Sequence, residues 1–160
     1  LQGFYENGFY LHEIGYRLNG GFTYRIVEHF SHYHQLKELI TYSLTGTMSE
    51  DNEACDTPAF DGYGMIVTVS LCPGTIGKVT GVQEIEAHPN VLHFYQLLNE
   101  GEELNAFGTT AQNFAFILCA SETAQGMKET IAFIREHLTV LDLDGGDMLN
   151  DIIDPNDIQF

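Results

Sequence analysis

Near the start of the chain, His12-Glu13-Ile14-Gly15-Tyr16-Arg17-Leu18-Asn19-Gly20-Gly21 brings together the residue types that phosphoryl transfer uses. Glu13 leaves a strand-like run and offers a hard oxygen ligand suited to magnesium. Arg17, four residues on, offers a planar fork for phosphate or carboxylate oxygens. The Gly20-Gly21 pair lets backbone N–H groups approach an anion closely. A metal, a cationic clamp and a tight loop are the parts that position and neutralise a transferring phosphoryl group. The plainer reading of Glu13 and Arg17 is an exposed ion pair at a strand end, worth little.

The same run resembles the last metal-binding strand of ATP-grasp enzymes, where Glu-x-Asn-x-Arg-x-x-Gly-Gly follows a hairpin. The resemblance implies that Glu13 is a magnesium ligand on the ATP phosphates. It implies that Arg17 contacts phosphate or the acyl-phosphate intermediate, with Gly20 and Gly21 in the phosphate loop. Gly15 stands where the family has Asn, so one side-chain ligand is missing. Leu44-Thr45-Gly46 is similar to the short motif that ends the helix after that loop. Leu71-Cys72-Pro73-Gly74-Thr75-Ile76 and Gly81-Val82-Gln83-Glu84-Ile85 resemble the strand–turn–strand of a C-terminal subdomain. That subdomain occurs in L-amino-acid-ligase-like and carbamoyl-phosphate-synthase-like members.

The resemblance therefore implies the C-terminal part of a carboxylate–amine ligase that works through an acyl phosphate. Its cofactors are ATP and Mg2+ in a full-length parent, and its substrates a small-molecule carboxylate and an amine. The upstream ATP-binding region of the same protein is the implied partner, so the fragment alone is expected to be inactive. On this reading residues 1–46 end the ATP-grasp domain, 47–62 form a loop and 63–160 form the C-terminal subdomain.

The elements that must position these residues are legible in the texture of the chain. Phe4-Tyr5-Glu6 and Phe9-Tyr10-Leu11 flank Asn7-Gly8, which suits a two-residue turn with positive φ at both positions. Gly15 to Gly21 reads as a loop. Thr23 is placed to cap a short helix through about Phe30. A second helix is expected from about His34 to Leu44, with Leu36, Leu39, Ile40 and Leu44 on one face and Gly46 ending it. Strands are expected over Tyr63–Leu71, Thr75–Val79, Val91–Leu98 and Asn113–Ala120, with Pro73-Gly74 as a turn. Ser121 is placed to cap a helix over Glu122–Leu138, whose buried stripe is Met127, Ile131, Ile134 and Leu138. Val140-Leu141 reads as a last strand. The expected fold class is α+β: a mostly antiparallel sheet with a covering helix, preceded by a hairpin–loop–helix unit.

Composition narrows the function classes. The 160 residues include 44% hydrophobic residues, enough for a real core. The formal net charge of −17 repels phosphate backbones and anionic lipid, so neither nucleic acid nor membrane is an expected partner. No apolar run reaches the length of a membrane span. The start lacks an initiator Met and a signal-peptide pattern, as a fragment of a longer protein or a trimmed chain would. Cys55, Cys72 and Cys119 form no CxxC pair; Cys72 and Cys119 sit in apolar runs and read as buried thiols, in a cytoplasmic, reducing setting.

Other clusters have plainer readings. His29, His32 and His34 read as helix-end or solvent residues before they read as a transition-metal site. Asp142-Leu143-Asp144-Gly145-Gly146-Asp147 fails the spacing of a calcium loop. Phe4, Tyr5, Phe9 and Tyr10 read as hairpin packing before adenine stacking. A second function class stays open: a non-catalytic binding or oligomerisation module, a homodimer for example, with the hairpin as its docking edge.

Overall fold

The alternating aromatic and apolar residues near the start pair with one another, and the β-branched runs after Gly62 pair into sheets. A computed structural model of the chain describes residues 2–5, 7–13, 18, 20–48, 60–105 and 107–159. Gln2–Tyr5 (β1) and Phe9–Glu13 (β2) form an antiparallel hairpin with Tyr5 opposite Phe9. That closing pair leaves three residues between the strands, one more than the expected two-residue turn. Asn7 takes the left-handed conformation at φ 54°, which Asn tolerates through its short polar side chain.

Thr23–Ser31 (α1) and Gln35–Thr45 (α2) follow. Gly46 ends α2 at φ 75°, donating its N–H to the Tyr42 carbonyl, as its lack of a Cβ allows. The expected apolar face of α2 is largely open: Ile40 is 52% and Leu44 80% exposed, while Glu38 is the buried residue of this helix. Of the expected loop over 47–62, residues 49–59, Cys55 among them, lie outside the described residues.

The main sheet contains Tyr63–Leu71 (β3), Val91–Gln96 (β5), Asn113–Ser121 (β7) and Leu149–Asp151 (β9), in the order β5-β7-β3-β9 and antiparallel throughout. A second sheet contains Gly74–Thr80 (β4), Glu103–Leu104 (β6) and Thr139–Asp142 (β8), in the order β6-β4-β8. Ala124–His137 (α4) covers one face of the main sheet, so the architecture is the expected α+β one. Val82–Glu86 forms a single helical turn (α3) where the sequence resembled a strand–turn–strand; Gly81, at φ 89°, starts it. A Cβ at Gly81 would overlap the His137 carbonyl, so the turn closes against the end of α4.

Strand alternation divides the main sheet into two faces. Val67 lies opposite Ile117 and Val69 opposite Ala115. These side chains join Met127, Ile131, Ile134 and Leu138 of the helical stripe, and Ile76 and Val140 of the second sheet, in one core. Burial of each large apolar side chain there contributes roughly 1.5–3 kcal/mol. The α4 stripe is the one its spacing implied. Its cap is Thr123, whose side chain accepts from the Gly126 N–H, rather than Ser121. Ser121 is spent inside the strand end, where its Oγ donates to the Thr123 carbonyl. Cys119 is buried, as expected; Cys72 is only half-buried, with its Sγ 3.8 Å from Asn150 Oδ1.

Candidate functional site

The second face of the main sheet positions the glycine pair. Ile66 lies opposite Leu118 and Thr68 opposite Phe116. Helix α1 packs on this face, where Gly64 and Gly62 leave room for Ile26 and Phe30. Immediately before α1, Phe22 stacks on Tyr95 at 4.2 Å and 12° and meets Phe116 edge-on at 6.4 Å. Phe22, not Thr23, occupies the N-cap, with φ 61° and ψ 17°. A bulky residue in the left-handed region is strained, and such strain collects at functional sites. The aromatic stack is what holds it.

Gly20 and Gly21 sit in the turn that leads into Phe22. Neither has the positive φ that demands glycine. Among the described residues, a Cβ at Gly20 would meet nothing within 4 Å, and one at Gly21 would touch Ile66 Cδ1 at an ordinary 3.8 Å. Packing therefore explains Gly62 and Gly64, where a Cβ would collide with Phe30 or Ile26; no such collision occurs at 20 or 21 with the described residues.

Glu13 ends β2 by its backbone. Gly15, Arg17 and Asn19 lie outside the described residues. Among the described residues no group of three or more His, Cys, Asp and Glu is arranged to hold a metal ion. His34 Nδ1 lies 2.7 Å from Glu28 Oε1, tying the start of α2 to α1.

Two features escaped sequence reasoning. A cavity of about 370 Å³ opens beside Leu18, walled by Tyr33, Leu39, Tyr42 and Met48, with the buried Glu38 carboxylate in its lining. The spacing of Gln35, Glu38, Leu39 and Tyr42 along one helical face was the available signal. The second is Arg25. Its Cζ lies 5.5 Å from the centroid of the Tyr24 ring, and its Nη1 is 3.8 Å from Glu28 Oε2. Burial works against the charge, but the hydroxyls of Tyr95 and Tyr24 outweigh it and raise the guanidinium above its ordinary range.

No protein-family model matches the chain, and no curated protein matches it. Among solved structures, the chain is similar to an L-amino acid ligase from Bacillus licheniformis, with 16% identity and a TM-score of 0.66. The likeness covers 80% of this chain and 31% of the ligase, so the chain spans about a third of that protein's length. Among the described residues no helix is long and apolar enough to cross a membrane. At this identity the likeness shows the fold alone: an α+β arrangement shared with part of that ligase.

Proposed function

We propose that the chain is the C-terminal portion of an ATP-grasp carboxylate–amine ligase, L-amino-acid-ligase-like or carbamoyl-phosphate-synthase-like. Residues 1–46 would close the ATP-grasp domain and residues 63–160 form its C-terminal subdomain, joined through 47–62. The observation that carries this reading is the fold shared with the L-amino acid ligase over 80% of the chain. The order of Glu13, Arg17, Gly20 and Gly21, and glycines that packing does not require, support it.

In this reading a substrate carboxylate oxygen takes the γ-phosphoryl group of ATP and ADP leaves. An amine nitrogen then bonds to the acyl carbon, phosphate departs and the amine loses a proton. Glu13 would hold magnesium, which neutralises and orients the polyphosphate when bound. Arg17 would steady the transferred group through its fork, and the backbone at Gly20 and Gly21 would line the phosphates. The chain carries only six Lys plus Arg against 23 Asp plus Glu, so in this reading the rest of the phosphate grip would come from an upstream region.

The test is ADP release by the full-length parent, screened over carboxylate–amine pairs with Mg2+. Glu13→Gln is expected to lower turnover by about 100-fold or more. Wild-type turnover in that variant removes the metal-ligand role, and absence of ADP formation with every pair removes the ligase reading. The isolated chain is expected to bind ATP weakly; tight Mg2+-dependent binding by calorimetry refutes that.

One observation favours the second reading, a non-catalytic docking module. Among the described residues β1 and β2 pair only with each other, with Tyr10 52% and Leu11 45% exposed. A two-stranded hairpin is marginal alone and its edges invite a partner. Light scattering decides: a mass that stays monomeric at all concentrations leaves a self-associating hairpin without support.

A further inference from the structure

We propose that Arg25, with His29 and His93, forms a binding site for a small phosphate-bearing anion. The proposal goes beyond the ligase reading and does not rest on it, since none of these residues belongs to the Glu13–Gly21 run.

Charge asymmetry carries the argument. Asp and Glu outnumber Lys and Arg by 23 to 6 in the whole chain, so a random patch of surface should be acidic. Two neighbouring cavities depart from that excess of acid: one carries as many formal positive as negative charges, the other one more positive. One, about 200 Å³, is lined by Arg25, Glu28, His29, Leu92 and His93. The other, about 300 Å³, shares Arg25 and Glu28 and adds His34 and Lys37. Among the described residues Glu28 is the one carboxylate in either lining, and it is already engaged by His34 at 2.7 Å. Its approach to Arg25 is loose, at 3.8 Å, which is an ion pair but not a hydrogen bond.

The guanidinium is held but not satisfied. The Tyr24 ring lies under it, and the Tyr95 hydroxyl, fixed by the stack of Tyr95 on Phe22, supports its charge. Yet Arg25 Nε is enclosed and finds no hydrogen-bond partner among the described residues. Enclosed donors are nearly always paired, so an unpaired one marks a guanidinium whose hydrogen-bonding capacity the described residues do not use up. The His93 ring, 5.5 Å from that of Tyr95, stands next to this position, and His29 and His93 are both solvent-accessible. A guanidinium fork flanked by imidazoles matches the several oxygens of a phosphoryl group. A volume of about 200 Å³ equals several water molecules, room enough for that group.

Inorganic phosphate and a phosphate monoester share this chemistry, and the experiment separates them. The labelled full chain is titrated with inorganic phosphate, with phenyl phosphate and with acetate at constant ionic strength, following amide and imidazole NMR signals. Saturable shifts at Arg25, His29 and His93 with phosphate alone assign free phosphate. The same shifts with both assign the phosphoryl group as such. Binding is expected to weaken by about tenfold in Arg25→Gln, less in His93→Gln, and not at all in Lys128→Gln on α4. Arg25→Lys keeps the charge and loses the fork, so it should fall between wild type and Arg25→Gln while its spectrum stays dispersed. Unsaturable shifts, equal affinity for acetate, or unchanged binding in Arg25→Gln overturns the proposal.

Discussion

The Phe22 ring lies flat on the Tyr95 ring, 4.2 Å between centroids and 12° from parallel. Phe22 also carries a left-handed backbone, φ 61°, directly after the glycine pair. One contact thus fixes the exit of the loop to the sheet, and one backbone strain opposes it. Two substitutions separate them. Phe22→Ala removes the stack and keeps a Cβ at positive φ, so it should cost about 2 kcal/mol in urea unfolding. Phe22→Gly removes the stack and the strain together, and should recover about 1 kcal/mol of that loss. If the Gly variant is no more stable than the Ala variant, the strain is not real.

Glycine-to-alanine changes at two positions should have opposite outcomes. A Cβ at Gly64 would overlap Ile26 Cγ2, so Gly64→Ala must push α1 off the sheet, costing about 1–3 kcal/mol. Adding Ile26→Ala should return part of that cost, which a double-mutant cycle reads directly. At Gly20 a methyl meets nothing among the described residues, so Gly20→Ala should be neutral or slightly stabilising, by up to about 0.5 kcal/mol. On the proposed ligase reading, in which a ligand approaches that backbone, the same variant should slow turnover by the full-length parent. A stable variant with wild-type turnover would leave Gly20 without a function.

The long elements were legible because each carries its own period. The β3 run alternates towards its end, β7 is a nearly continuous apolar run of strand length, and the α4 stripe repeats at three and four residues, so no partner need be known to place them. The elements that escaped are short and owe their form to neighbours. Leu149–Asp151 is a strand only because Ser70 and Leu71 lie beside it. Val82–Glu86 turns helically where Gly81 meets the end of α4. The cap of α4 was misplaced by two residues because Ser121 and Thr123 are chemically alike in sequence; only the strand end consumes one of them. The site divides in the same way. Glu13 at a strand end and the Gly20-Gly21 turn were visible as local patterns. Arg25 and Glu38 were not, since a charged residue on a short helix reads as a solvated one until the opposite wall is known.

Burial pushes the Cys119 thiol up to about 12 from an ordinary 9.0. The native state holds this proton more tightly than the unfolded chain does. Its stabilising effect is therefore complete below pH 9 and is lost as pH rises towards 12. Between about pH 8.5 and about pH 10.5 the wild type should lose about 2 kcal/mol more than Cys119→Ala does. Urea unfolding of both at each pH measures it, and the comparison removes what tyrosines and lysines contribute. Parallel pH curves for the two proteins would show that the thiol titrates normally.

Gln112 tests how the ends of β3 and β7 are locked. It is 4% exposed; its Nε2 donates to the Leu71 carbonyl at 2.7 Å, and its Oε1 accepts from the Gly108 and Thr109 N–H groups. Gln112→Leu strands that carbonyl and those N–H groups, and should cost about 2–3 kcal/mol. Gln112→Glu keeps the shape and the acceptor but turns the donor into a second acceptor facing the Leu71 carbonyl. An ionised carboxylate there should be as harmful as leucine at neutral pH. Protonation restores a donor to Leu71, so the native state holds that proton more tightly than the unfolded chain. The deficit of Gln112→Glu against wild type should therefore shrink as pH falls through about 5 to 4, while that of Gln112→Leu stays constant. A deficit of Gln112→Glu that is flat with pH would mean the Nε2 bond to Leu71 contributes nothing.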